Sequence, residues 1–149
     1  MDKIRWCLKQ QKGIILIKSN INLSESYLKQ SKSDLQNIKK QDSVWGVIIS
    51  YYTCYNALYS LLIRYGIKSE IHSCSIELLK LFEKLKDYHQ FLTDLKENRI
   101  NTQYYLKKPK PPKIDKLKTF IDLCELEIIE CNQEKIELLN KKIIHLKLS

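Results

Sequence analysis

Glycine and proline are scarce, three of each in 149 residues, and arginine is scarcer than the charge suggests, since Arg5, Arg64 and Arg99 are the only ones among 26 basic residues. With so few breakers, and with Lys, Leu, Ile and Glu dominating, low-complexity disorder is excluded and helix is favoured over sheet. Few arginines leave little scope for bidentate reading of phosphates or bases, so each one carries more weight. No Cys-x-x-Cys pair occurs among the five cysteines at 7, 54, 74, 124 and 131. An odd count without that spacing argues against a zinc or disulfide framework and predicts reduced thiols packed as small apolar side chains, as in the cytoplasm. A Gly-rich phosphate loop, a His-Glu-x-x-His stretch and a carboxylate cluster are all missing, so the reading assigns no metal and no cofactor. The apolar run Ile14 to Ile17 is too short for a signal-peptide core.

Charge itself is missing from one long stretch. Ser43 to Ile63 holds no charged residue in a chain where 29% are charged. Its length approaches a membrane span, but Ser50, Tyr51, Tyr52, Thr53, Tyr55, Asn56, Tyr59 and Ser60 load it with polar groups that hydrocarbon would leave unpaired. At helical spacing Val44, Ile48, Tyr51, Tyr55, Leu58, Leu62 and Tyr65 form one stripe, and Trp45, Ile49, Tyr52, Tyr59 and Ile63 another. A helix apolar on most sides is a buried helix, so the reading is a soluble protein with no membrane part.

The rest of the chain suits one domain around that helix. A short helix over the first twelve residues, anchored by Trp6, precedes a break at Gly13. Asn22 and Glu25 read as a capping box opening a helix to about Lys40, with Leu23, Tyr27, Leu28, Leu35 and Ile38 inward. Asp42 or Ser43 caps the uncharged helix, and Gly66 is its left-handed stop. A helix opening at Ser73 or Ser75 buries Ile76, Leu78, Leu79, Phe82 and Leu85. The next runs from about Tyr88 to Leu106, with Phe91, Leu92, Leu95, Ile100 and Tyr104 as core positions. Pro109, Pro111 and Pro112 mark a linker over 107–113. Leu117, Ile121, Cys124, Ile128 and Cys131 then form a stripe that shifts to Ile136, Leu139, Ile143 and Leu146, read as one C-terminal helix over about 114–146. The fold class is therefore all-α, a four- to five-helix up-and-down bundle.

A net charge of +9 attracts RNA, nucleotides or an acidic protein without choosing among them, and lysines also simply solvate helix faces. Of the three histidines, only His72 sits near an arginine and a helix start, where imidazole can serve as general acid or base. Metal-free RNA cleavage needs a base for the ribose 2′-hydroxyl, an acid for the leaving 5′-oxygen and a cation for the phosphorane-like transition state. His72 and Arg64 are the candidate catalytic pair. The plainer alternative makes His72 a cap of the following helix and Arg64 a partner of the central helix dipole.

The segment from Ser50 to Leu62, followed by Gly66, Lys68, Ser69 and His72, resembles the central hairpin of HEPN domains, in the small stand-alone archaeal and bacterial branch. Arg99 through Tyr105 resembles that branch's later arginine followed by a polar residue and tyrosine. The likeness covers about residues 22–108. It implies a HEPN-type bundle, commonly a homodimer, in toxin–antitoxin or RNA-linked defence modules with a minimal nucleotidyltransferase as partner. The HEPN member is a metal-independent endoribonuclease or is held inactive. It also implies RNA or nucleotide binding, for which Arg99, Tyr104, Lys68 and Tyr52 are the candidates. The family's Arg, four to six residues, then His is not reproduced: Arg64 and His72 are separated by seven residues, and Tyr104 stands where His would follow Arg99. Two readings remain open, a ribonuclease using His72 with Arg64 or Arg99 as the phosphate cation, and a catalytically silent module that docks a nucleotidyltransferase or binds nucleotide, with Tyr104 or Tyr105 available for nucleotidyl modification.

Overall fold

The structure is a computed structural model describing residues 1–38 and 42–149. Seven α-helices are present among them: α1 (Asp2–Lys9), α2 (Ile21–Gln36), α3 (Val44–Arg64), α4 (His72–Glu77), α5 (His89–Tyr104), α6 (Ile114–Ile129) and α7 (Gln133–Leu148). Two short strands, β1 (Ile15–Leu16) and β2 (Ile67–Lys68), pair antiparallel. The architecture is the expected all-α bundle, with α2, α3, α5, α6 and α7 as its long members.

The uncharged segment is its inner helix. Ser43 caps α3 by accepting from the Gly46 amide at 2.9 Å, and α2, α5 and α6 pack around it. Tyr51, Cys54, Ala57, Leu58, Leu61 and Leu62 are fully buried. Among the described residues α3 is the one helix long and apolar enough to cross a membrane, and it is mostly enclosed by its neighbours. Its first turn is the most exposed part, with Val44 and Trp45 in water rather than inward as their stripes suggested. At the other end Gly66 adopts φ +75°, and a Cβ there would meet the Ile17 carbonyl oxygen at 2.6 Å, so the turn that brings β2 against β1 requires glycine.

Several expectations need correction. Asn20, not Asn22, caps α2, accepting from the Leu23 amide at 3.0 Å; the expected end near Lys40 lies outside the described residues. The face of α2 that meets α3 is built on buried Ser24 and Ser31, while Leu23 is exposed. Ser24 and Ser60 each donate to the other's carbonyl oxygen, and Ser31 and Thr53 do the same one heptad along. Small side chains bring the two backbones close enough for these bonds, a mode of packing that a search for apolar periodicity misses. Ile76, Leu78, Leu79, Phe82 and Leu85 are all buried, but only α4 is an α-helix there; Leu78–Leu81 and Lys86–Tyr88 continue as 3₁₀ turns.

The C-terminal helix is two helices. Asn132 leaves the helical backbone, and its side chain accepts from the Lys135 amide at 2.9 Å to start α7. Asparagine gains more as a cap than inside a helix, and the shift of the apolar stripe marks the break. The stripe itself is inward, with Leu117, Ile121, Cys124, Ile136, Leu139, Ile143 and Leu146 buried. The cysteine reading is corrected too. Cys7 of α1 and Cys74 of α4 form a disulfide, whereas Cys54, Cys124 and Cys131 are free and buried. The packing of α1 on α4 brings together thiols that sequence spacing gave no reason to pair.

Candidate functional site

Tyr51, Tyr52 and Tyr55 project from adjacent positions of α3 toward the start of α4 and the last half of α5. His72, the first residue of α4, stacks on Tyr55 with ring centroids 4.0 Å apart. Its Nδ1 lies 2.7 Å from the Tyr51 hydroxyl. From α5, the Arg99 guanidinium sits 4.9 Å from the Tyr51 ring centroid and 5.4 Å from that of Tyr52. Arg99 Nη1 donates to the Tyr52 hydroxyl at 3.0 Å. One tyrosine ring thus carries an imidazole at its hydroxyl and a guanidinium over its face, the latter favoured by cation–π attraction.

The electrostatics follow from this arrangement. Burial first, then the positive charges of Arg99 and Lys96, lower the His72 pKa from 6.5 to about 4, so the imidazole is neutral at physiological pH. Burial also pushes the Tyr51 phenol far above its ordinary value, reinforced by Tyr55 and opposed by Arg99. The Tyr55 phenol rises to about 12, mainly through burial, although its bond to Ser75 opposes the shift. Arg99 is 9% exposed, and its Nε is buried with no hydrogen-bond partner among the described residues. A buried guanidinium with an unmet donor is a charge still lacking an acceptor. Chemically the site combines a neutral proton-transfer group, a fixed cation and three aromatic faces.

The sequence candidates divide. His72, Arg99 and Tyr52 come together. Arg64 does not join them: its Nη1 donates to Ser19 Oγ at 3.2 Å, and it lies nine residues beyond Tyr55, about 13 Å along the helix axis at 1.5 Å per residue. Lys68 is on β2 with Nζ 3.3 Å from Glu70. Tyr104, taken as a core position, ends α5 and is 65% exposed, and Tyr105 beside it is 68% exposed. Nor does His72 cap α4, since its Nδ1 is turned to Tyr51.

A second titratable cluster escaped the sequence reading. Glu77 Oε2 lies 2.7 Å from His89 Nε2, and Oε1 accepts from Lys80 at 2.6 Å. Burial works against the Glu77 carboxylate, but the bonds from Lys80 and His89 together hold its pKa below the usual value. The Glu77–Lys80 spacing was visible on one helix turn; the approach of His89 was not. Among the described residues no group of three or more His, Cys, Asp or Glu side chains is placed to hold a metal ion. In comparisons with known proteins, no family model, no curated protein and no solved structure matches this chain.

Proposed function

We propose that this chain is a HEPN-type, RNA-linked protein of a toxin–antitoxin or defence module, acting as a metal-independent endoribonuclease in which His72 transfers the proton and Arg99 holds the scissile phosphate. The observation that carries this reading is the meeting of both groups on Tyr51, with the imidazole 2.7 Å from its hydroxyl and the guanidinium 4.9 Å from its ring centre. When Nδ1–H donates to the Tyr51 oxygen, Nε2 carries the lone pair and can take the ribose 2′-proton. The resulting imidazolium is a strong acid in this setting, able to protonate the leaving 5′-oxygen. Arg99, with a donor unmet, stabilises the charge that grows on the phosphorane. A bound phosphate offsets the charge of Arg99 and draws the His72 pKa back toward neutrality, where proton transfer is most effective. Two copies of the chain and a cytoplasmic setting accompany this reading. Both Cys7 and Cys74 are fully buried, which keeps their disulfide out of reach of soluble thiols.

A second reading rests on Tyr104, Tyr105 and the depth of Arg99. Exposed tyrosines at the end of α5 and a nearly buried arginine suit a silent module that offers its tyrosines to a nucleotidyltransferase partner or stacks them on a base. Incubating the protein with tRNA or mRNA in EDTA separates the two. Cleavage by the parent chain, lost by about 100-fold or more in His72→Ala and in Arg99→Ala, supports the ribonuclease. Equal inactivity of parent and variants removes it and leaves the docking module.

A further inference from the structure

Arg64, left aside by the Arg99–His72 site, has surroundings of its own. Its half-buried guanidinium is oriented by Ser19, whose Oγ accepts from Nη1 at 3.2 Å and donates to the Arg64 carbonyl oxygen at 2.6 Å. Among the described residues the ion pairs involve other cations, and no carboxylate neutralises Arg64. A guanidinium positioned by a hydroxyl yet left with its charge is arranged to receive an anion.

It opens on a cavity of about 460 Å³ that Lys18, Gln133 and Asn140 also line, within the usual range for small-molecule sites. Lys18 supplies a second positive charge. Ile21 and Gln133, the first residues of α2 and α7, also border it, so the positive ends of two 16-residue helices flank the same space. Asn140 adds a requirement of another kind: its Oδ1 is buried and has no hydrogen-bond partner among the described residues. An orphaned acceptor is costly unless a donor reaches it. The lining therefore calls for both an anion and a hydroxyl donor.

We infer that this cavity binds a small phosphate monoester bearing a hydroxyl group, with the phosphate on Arg64 and Lys18 and the hydroxyl on Asn140. The site is independent of the His72–Arg99 chemistry and survives if that chemistry fails. Calorimetric titration of the full chain with ribose 5-phosphate and with inorganic phosphate tests it. Saturable binding of both is expected, tighter for the sugar phosphate, and weakened on the order of 10-fold in Arg64→Gln through loss of one charged hydrogen-bonding group. Lys18→Gln, at an exposed position, weakens it to a lesser extent and stands in if Arg64→Gln loses its circular-dichroism signature. Asn140→Leu abolishes the preference for the sugar phosphate over phosphate. No saturable binding, or an affinity unchanged by both cation variants, overturns the inference. A preference that persists in Asn140→Leu removes the hydroxyl assignment. Displacement of the sugar phosphate by an RNA oligonucleotide lacking terminal phosphates reassigns the cavity to the RNA backbone and ends the small-molecule reading.

Discussion

At the scale of single residues, the position of His72 has a thermodynamic consequence that needs no substrate. Folding lowers its pKa from 6.5 to about 4. Between those values the unfolded chain holds a proton that the folded chain lacks, so this contribution to stability is full above pH 6.5 and is lost as pH falls toward 4. Urea midpoints at pH 7 and pH 5 are therefore expected to separate more in the parent protein than in His72→Gln. An equal separation would place the shift on another group. His72 stood out as a candidate from its place near an arginine and a helix start, whereas Arg99 and Tyr52 became candidates only through the HEPN resemblance. Their meeting was not, because three residues on three helices share no spacing that a linear pattern can register. Arg64 illustrates the converse: near His72 in sequence, it is carried away by the turn at Gly66 and by its bond to Ser19.

At the scale of elements, the uncharged stretch told most because absence of charge over so many positions has one economical cause, enclosure. Leu58 is fully buried within α3, so Leu58→Ala is expected to cost about 2–5 kcal/mol through lost transfer energy and an unfilled cavity. Lys141→Ala, on the exposed side of α7, is expected to change stability by less than about 0.5 kcal/mol. Chemical denaturation of both variants checks the pair, and a small cost at Leu58 would put α3 at the surface. The elements that sequence misjudged share a cause. In α2 the contact runs through serines, and at Asn132 a single polar cap starts a new helix where the apolar stripe shifts. Local hydrogen bonding decided both, and hydrophobic periodicity registers only the second, as a shift of the stripe.

For the whole molecule, the link between Cys7 and Cys74 closes a loop with a sequence separation of 67 residues that contains α2 and α3. Restricting an unfolded chain over such a span is worth about 2–4 kcal/mol. The double variant Cys7→Ser, Cys74→Ser is expected to melt several degrees below the parent, and a melting point unaffected by the change would mean that the parent holds both thiols reduced in solution. The bundle class followed from composition and patterning alone, whereas this cross-link depended on the packing of α1 against α4. Its topology also governs how the chain responds to a protease. A single cut anywhere between the two joined positions leaves both fragments in one covalent piece, so nicked protein migrates as intact until the gel is run with a reducing agent.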